Sequence, residues 1–241
     1  MKIRKPSLAF LTVLLLGTST FIGGCATTGM ERAAKTTTSM QTVENEYRQT
    51  ATQVDATTAT LNDLIKPDQA DQRKAFEAYK ASVARMDNQG KQLTKNSDEM
   101  NARGKDYFAE WEKSGNKYTN PEMRELSEQR RSEMSQVFAQ IPEASIGVKG
   151  SLRSYVTELK EIQTYLSNDL TPKGIETITP MAQKAIKDGE NLKVSIKPVL
   201  AAIQNVRTEM AQGGTTGRGA AAGGSQDSDI KENMNKDIDK D

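Results

Sequence analysis

Two apolar rows run in register through residues 69–113. Phe76, Val83, Gly90, Ser97, Gly104 and Trp111 stand seven residues apart, and three residues further on Tyr79, Met86, Leu93, Met100 and Tyr107 do the same. Paired rows with this spacing place a narrow stripe along one side of a helix, the pattern by which long helices pack on one another. The spacing predicts one helix over 69–113, about 65 Å long at 1.5 Å per residue. Such a helix needs partners to cover its stripe. Gly90 and Gly104 would each cost about 1 kcal/mol relative to Ala in an exposed helix, so on the seam they mark close approach of a neighbouring helix.

The rest of the chain supplies the partners. From Met30 to Ile65 a thinner seam reads Met40, Tyr47, Val54 and Leu61, with a companion row Thr37, Glu44, Ala51, Thr58 and Ile65. It is diluted by threonine and interrupted by Glu44. Lys66, Pro67 and Asp68 break it: Pro disfavours helical backbone in the residue before it, and Asp68 is placed to cap the next helix. After the turn at Ser114–Lys117, Asn120 and Pro121 form a cap followed by proline at the first helical position. The third helix carries Met123, Leu126, Arg130, Met134, Val137 and Phe138 on one side. Periodicity resumes beyond Pro142 with Ile146, Val148, Leu152, Tyr155, Leu159, Ile162, Leu166 and Leu170, which favours a kinked continuation over a stop. Thr171 with Pro172 and Thr179 with Pro180 read as starts of short helices, and a last helical run extends from Ile186 to Met210 with a kink at Pro198. No stretch alternates with period two. The fold class expected is all-α, an elongated coiled-coil-like bundle of three to five helices over residues 30–212, with no sheet. Residues 213–241, Gly-rich and then charged, lack the apolar content to offset the entropy of ordering and are expected to be a disordered tail.

The first 24 residues have a different logic. Lys2, Arg4 and Lys5 precede an uncharged stretch with an apolar heart at Leu8–Leu16, the layout of an export signal. It ends in Ile22, Gly23, Gly24 and Cys25, which matches the bacterial lipobox: an aliphatic residue, two small residues and the cysteine that takes the lipid. Residues 1–24 are thus expected to be a signal peptide cut between Gly24 and Cys25, and residues 25–29 a lipidated linker. Several acyl chains on one residue hold a bilayer firmly, whereas one does so marginally. Ala26, where Asp would retain a lipoprotein in the inner membrane, points to the outer membrane of a Gram-negative envelope. Loss of residues 1–24 leaves a slight acidic excess, which does not fit a nucleic-acid binder.

Composition excludes much chemistry. The chain has no histidine, and its one cysteine is taken by the lipid. The commonest general base and the usual zinc or iron ligands are therefore missing, and no disulfide can form within the chain. Glu110 and Glu112 flank Trp111, but residues two apart on a helix point to different sides and cannot address one bond together. Asp237, Asp239 and Asp241 lack the glycine and distal glutamate of a calcium loop. No catalytic, cofactor-binding or metal residue is expected. Trp111 and the methionines Met40, Met86, Met100 and Met134 read as core packing.

The segment 107–131, with Phe108, Glu110, Trp111, Glu112, Tyr118, Asn120, Arg124 and Ser127, resembles the DUF2959 family of helical bacterial lipoproteins of unknown function. So does a second helix junction with Tyr165, Leu166, Asn168, Leu170 and Ile175, although Ser167, Asp169 and Pro172 depart from the pattern there. The resemblance implies a coiled-coil fold and a lipid anchor and supplies no activity. The function expected is a non-enzymatic, membrane-anchored spacer, scaffold or adaptor in the periplasm, meeting another envelope protein or itself through helix packing. The alternative is a module holding a lipid or other apolar ligand between its helices, which would require a cavity along Gly90–Gly104.

Overall fold

In the computed structural model, which describes residues 28–219, four long helices follow one another: α1 (Gly29–Leu64), α2 (Gln72–Gly115), α3 (Pro121–Asn168) and α4 (Pro172–Gly219). Each helix packs on two neighbours, in the cycle α1, α2, α3, α4 and back to α1. Short turns join helices in sequence, so adjacent helices are antiparallel and the bundle runs up, down, up, down. No strand occurs among the described residues. The all-α bundle read from the sequence is therefore the observed one.

The two α2 rows face inward as their spacing requires. Phe76, Val83, Gly90, Ser97, Gly104, Tyr79, Met86, Leu93 and Met100 are buried, while Trp111 and Tyr107 at the far end pack half-buried on the core. In α1 the row Met40, Tyr47, Val54 and Leu61 is fully buried. Its principal companion is not the one expected. Thr36, Val43, Thr50, Thr57 and Leu64 form the second buried row, with Glu44 and Thr58 of the expected row buried at its edge. Threonine conceals this row in the sequence, because it is read as polar although its hydroxyl can bond the carbonyl four residues back, as those of Thr36 and Thr57 do.

Several polar side chains inside the bundle find one another across helices, whereas the buried Thr50 and Ser97 hydroxyls have no partner among the described residues. Thr57 and Ser82 hydroxyls lie 3.0 Å apart, Tyr47 donates to Ser145 at 3.1 Å, and Tyr79 donates to the Leu159 carbonyl at 2.8 Å. Burial pushes the Tyr79 hydroxyl well above the ordinary tyrosine range, so it stays a donor. Partners of this kind are needed, since an unpaired buried hydroxyl costs about 1–3 kcal/mol. Ion pairs at the rim connect neighbours: Lys160 with Asp87 between α3 and α2 at 2.8 Å, and Lys184 with Glu158 between α4 and α3 at 2.8 Å.

Several local expectations are corrected. Asp71, not Asp68, caps α2, accepting from the Lys74 N–H at 2.9 Å. The continuation of the third helix past Pro142 is as expected: α3 is one helix from Pro121 to Asn168. The two short helices expected at Pro172 and Pro180 are the start and interior of one helix, α4. Pro172 takes the first position, where its missing N–H would be unpaired in any case. Pro180 and Pro198 lie on the solvent face of α4, where water can reach the carbonyls left free. Helical backbone continues beyond Gln212 to Gly219; the remainder of the expected tail lies outside the described residues. Met123, Leu126 and Ile146 are exposed at 52, 60 and 73 % of their surface, contrary to their expected inward placement.

Candidate functional site

Gly24 and Cys25, with the whole expected signal peptide, lie outside the described residues, as do Asp237, Asp239 and Asp241. Three residues beyond Cys25, Thr28 closes a capping box on α1: its N–H donates to Glu31 Oε2 at 2.8 Å, and its hydroxyl accepts from the Glu31 N–H at 3.2 Å. Helix therefore begins at Gly29, four residues after Cys25.

The same end of the bundle carries the α2–α3 turn and the residues singled out in segment 107–131. Tyr107, Phe108, Trp111 and Phe138 form an edge-to-face chain with centroids 5.0, 5.7 and 5.7 Å apart. The Trp111 indole N–H donates to Ser127 Oγ at 3.1 Å. Arg131 reaches Glu128 on its own helix at 2.5 Å and Glu112 across the hairpin at 3.8 Å. Arg124 donates to the Tyr118 carbonyl at 2.8 Å, and Asn120 accepts from Glu122 and Met123 N–H groups. Glu110 turns to Lys113 at 2.6 Å, away from Glu112. The aromatic and charged signature of this segment thus locks a helical hairpin. Its carboxylates face different partners and do not converge on a common point.

Along the seam, Leu152 and Phe138 occupy the space opposite the two glycines. A Cβ at Gly90 would meet Leu152 carbons at 3.5–3.6 Å, an ordinary contact, whereas one at Gly104 would stand 2.0 Å from Phe138 Cζ. One surface indentation is an open groove between α1 and α2 at Lys35, Thr38, Asn96 and Arg103. Among the described residues no group of His, Cys, Asp and Glu side chains could hold a metal ion.

The charged group missed by sequence reasoning is Glu44. Its carboxylate is nearly enclosed, with Arg48 at 2.8 Å on α1 and Arg207 at 2.5 Å from α4. The spacing of Glu44 and Arg48 is legible as a helical ion pair, but Arg207 is 163 residues away in sequence. Burial opposes ionisation of Glu44, yet the hydrogen bonds and charges of the two arginines outweigh it and hold the carboxyl below the usual carboxylate range. A lowered carboxyl pKa contributes stability that is present above the unfolded value, near 4.5, and is lost as pH falls through the folded value. Glu44→Gln should therefore cost about 1–3 kcal/mol at pH 7 and flatten the acid side of the stability profile. Urea midpoints measured between pH 7 and pH 3 check both effects; equal acid slopes in the two proteins would count against the assignment.

The described residues thus form a four-helix bundle with a filled core and a capped first helix. The chain belongs to the DUF2959 family, described as a protein of unknown function, whose model matches residues 23–210. No curated protein and no solved structure matches it.

Proposed function

We propose that the protein is an envelope lipoprotein, anchored through Cys25 and working without catalysis as a periplasmic spacer, scaffold or adaptor. The observation that carries this reading is the direct passage from a lipobox cysteine into a long, filled bundle: three residues separate Cys25 from α1, and α2 alone has 44 residues, about 66 Å of helix. A short tether on a rigid body transmits position, as a spacer or adaptor requires. The family match begins at Gly23 and so takes in the cysteine. No described helix is long and apolar enough to cross a membrane, which leaves attachment in this reading to the lipid. Phe138 and Leu152 fill the Gly104 and Gly90 positions where an apolar ligand would have to sit.

The experiment is in-cell crosslinking followed by mass spectrometry, with fatty-acid labelling, of the native protein and a Cys25→Ala form exported by an ordinary signal peptide. Label incorporated only with Cys25 present, and reproducible crosslinks to one envelope protein that weaken without the lipid, support a tethered adaptor. Absence of label from the native protein would overturn the anchor. Crosslinks confined to copies of the chain would replace the adaptor by a self-assembled spacer.

A further inference from the structure

Seven large hydrophobic side chains are exposed among the described residues, and four of them, Met30, Tyr118, Met123 and Leu126, lie at one end of the bundle. That end is the one where α1 begins. Arg32 lies close enough to Tyr107 and Glu110 for its charge to act on both, so Gly29 is level with the last turns of α2. Residues 209 and 210 of α4 touch Arg130 on α3 and Thr37 on α1. From there α3 rises about 14 Å to Pro121 and α1 about 12 Å to Gly29. The α2–α3 turn therefore reaches as far as the start of α1 or slightly beyond it. Cys25 can stand no more than about 14 Å from Gly29 even with the intervening chain fully extended. A lipid on Cys25 would hold this end face close to the headgroups of its own leaflet, a zone about 6 Å deep on each side of the hydrocarbon.

We propose that the α2–α3 tip rests in that interface, with Tyr118 in the turn itself nearest the bilayer and Met123 and Leu126, about 3 and 8 Å further along α3 from Pro121, lying among the headgroups and the apolar boundary beside it. Met123 and Leu126, three apart on α3, share one face of the helix, and tyrosine is enriched at this depth because its ring is apolar and its hydroxyl is not. Lys117 and Arg124 can reach lipid phosphates, but Glu122 and Glu125 stand beside them and balance their charge, so the contact is carried by the apolar side chains and not by net charge. This contact would fix the tilt of the bundle on the membrane, which a lipid tether alone leaves free. The proposal rests on the Cys25 anchor.

The test uses full-length lipidated protein in vesicles of phosphatidylethanolamine doped with phosphatidylglycerol. A nitroxide is attached at Met123→Cys or Leu126→Cys, with Ile146→Cys as a reference about 30–35 Å up the same helix; Cys25 is acylated and does not take the label. The expected result is that oxygen collisions relative to those of a water-soluble nickel chelate rise several-fold at 123 and 126 on vesicle attachment and stay unchanged at 146. Protein that floats with vesicles while all three labels remain equally accessible to the chelate would overturn the tip contact and leave the anchor standing. Dipolar broadening between labels at 123 would show a second copy covering the face and overturn it as well. Lipidated protein that fails to float would overturn the anchor, and the tip contact with it.

Discussion

Replacing Gly104 by Ala is expected to destabilise the bundle by about 1–3 kcal/mol, whereas the same change at Gly90 should stabilise it by about 0.5–1 kcal/mol. Both glycines lie on the same buried row of α2, and intrinsic propensity favours Ala at both. The facing residue separates them. At Gly104 the added carbon would stand 2.0, 2.3 and 2.8 Å from Cζ, Cε1 and Cε2 of Phe138, so the ring or α2 must move. The ring is already held edge-to-face by Phe108 at 5.7 Å and has little freedom to yield. At Gly90 the same carbon gains contact with Leu152 without compression. Urea unfolding followed by circular dichroism measures both changes; a Gly104→Ala protein as stable as the parent would mean that Phe138 repacks without cost.

Part of this is legible in the sequence and part is not. A seven-residue period shows which side of α2 is buried, because burial and period have the same cause, but it does not show what lies opposite. The two glycines look equivalent until Phe138 and Leu152 are set against them. The second α1 row is hidden for a related reason: three of its five members are Thr36, Thr50 and Thr57, whose buried hydroxyls count as polar in any periodicity. Prolines mislead in the opposite sense. Pro180 reads as a helix start, yet on a solvent face the lost hydrogen bond can be made up by water and the helix continues. Met123 and Leu126 keep helical spacing with Met134 and Phe138, but they belong to the first turns of α3 at the end of the bundle, where the core has run out. The hairpin signature in 107–131 is visible as residue types; that it ties α2 to α3 through Trp111 and Ser127, and Glu112 and Arg131, requires the fold.

Phe138→Ala is expected to cost about 3–5 kcal/mol, the upper range for core truncation. The residue is buried against Phe108 and over a glycine that has no side chain to fill the space. For that reason the cavity cannot close by small shifts, and it should remain apolar and dry, able to take up a small aromatic molecule such as benzene. The Gly104→Ala penalty should vanish in the same background, because the new carbon then enters vacated space. The two changes together are thus expected to be less damaging than their sum by about 1–3 kcal/mol, the whole of the Gly104→Ala penalty, measured as a double-mutant cycle of urea midpoints. Additivity would show that the contact is relieved in the native protein and that the clash inferred at Gly104 is absent. The same variant bears on function. Benzene should stabilise Phe138→Ala against unfolding and leave the parent unaffected; stabilisation of the parent to an equal degree would reveal apolar space in the native bundle and favour a ligand-holding role over a spacer or adaptor.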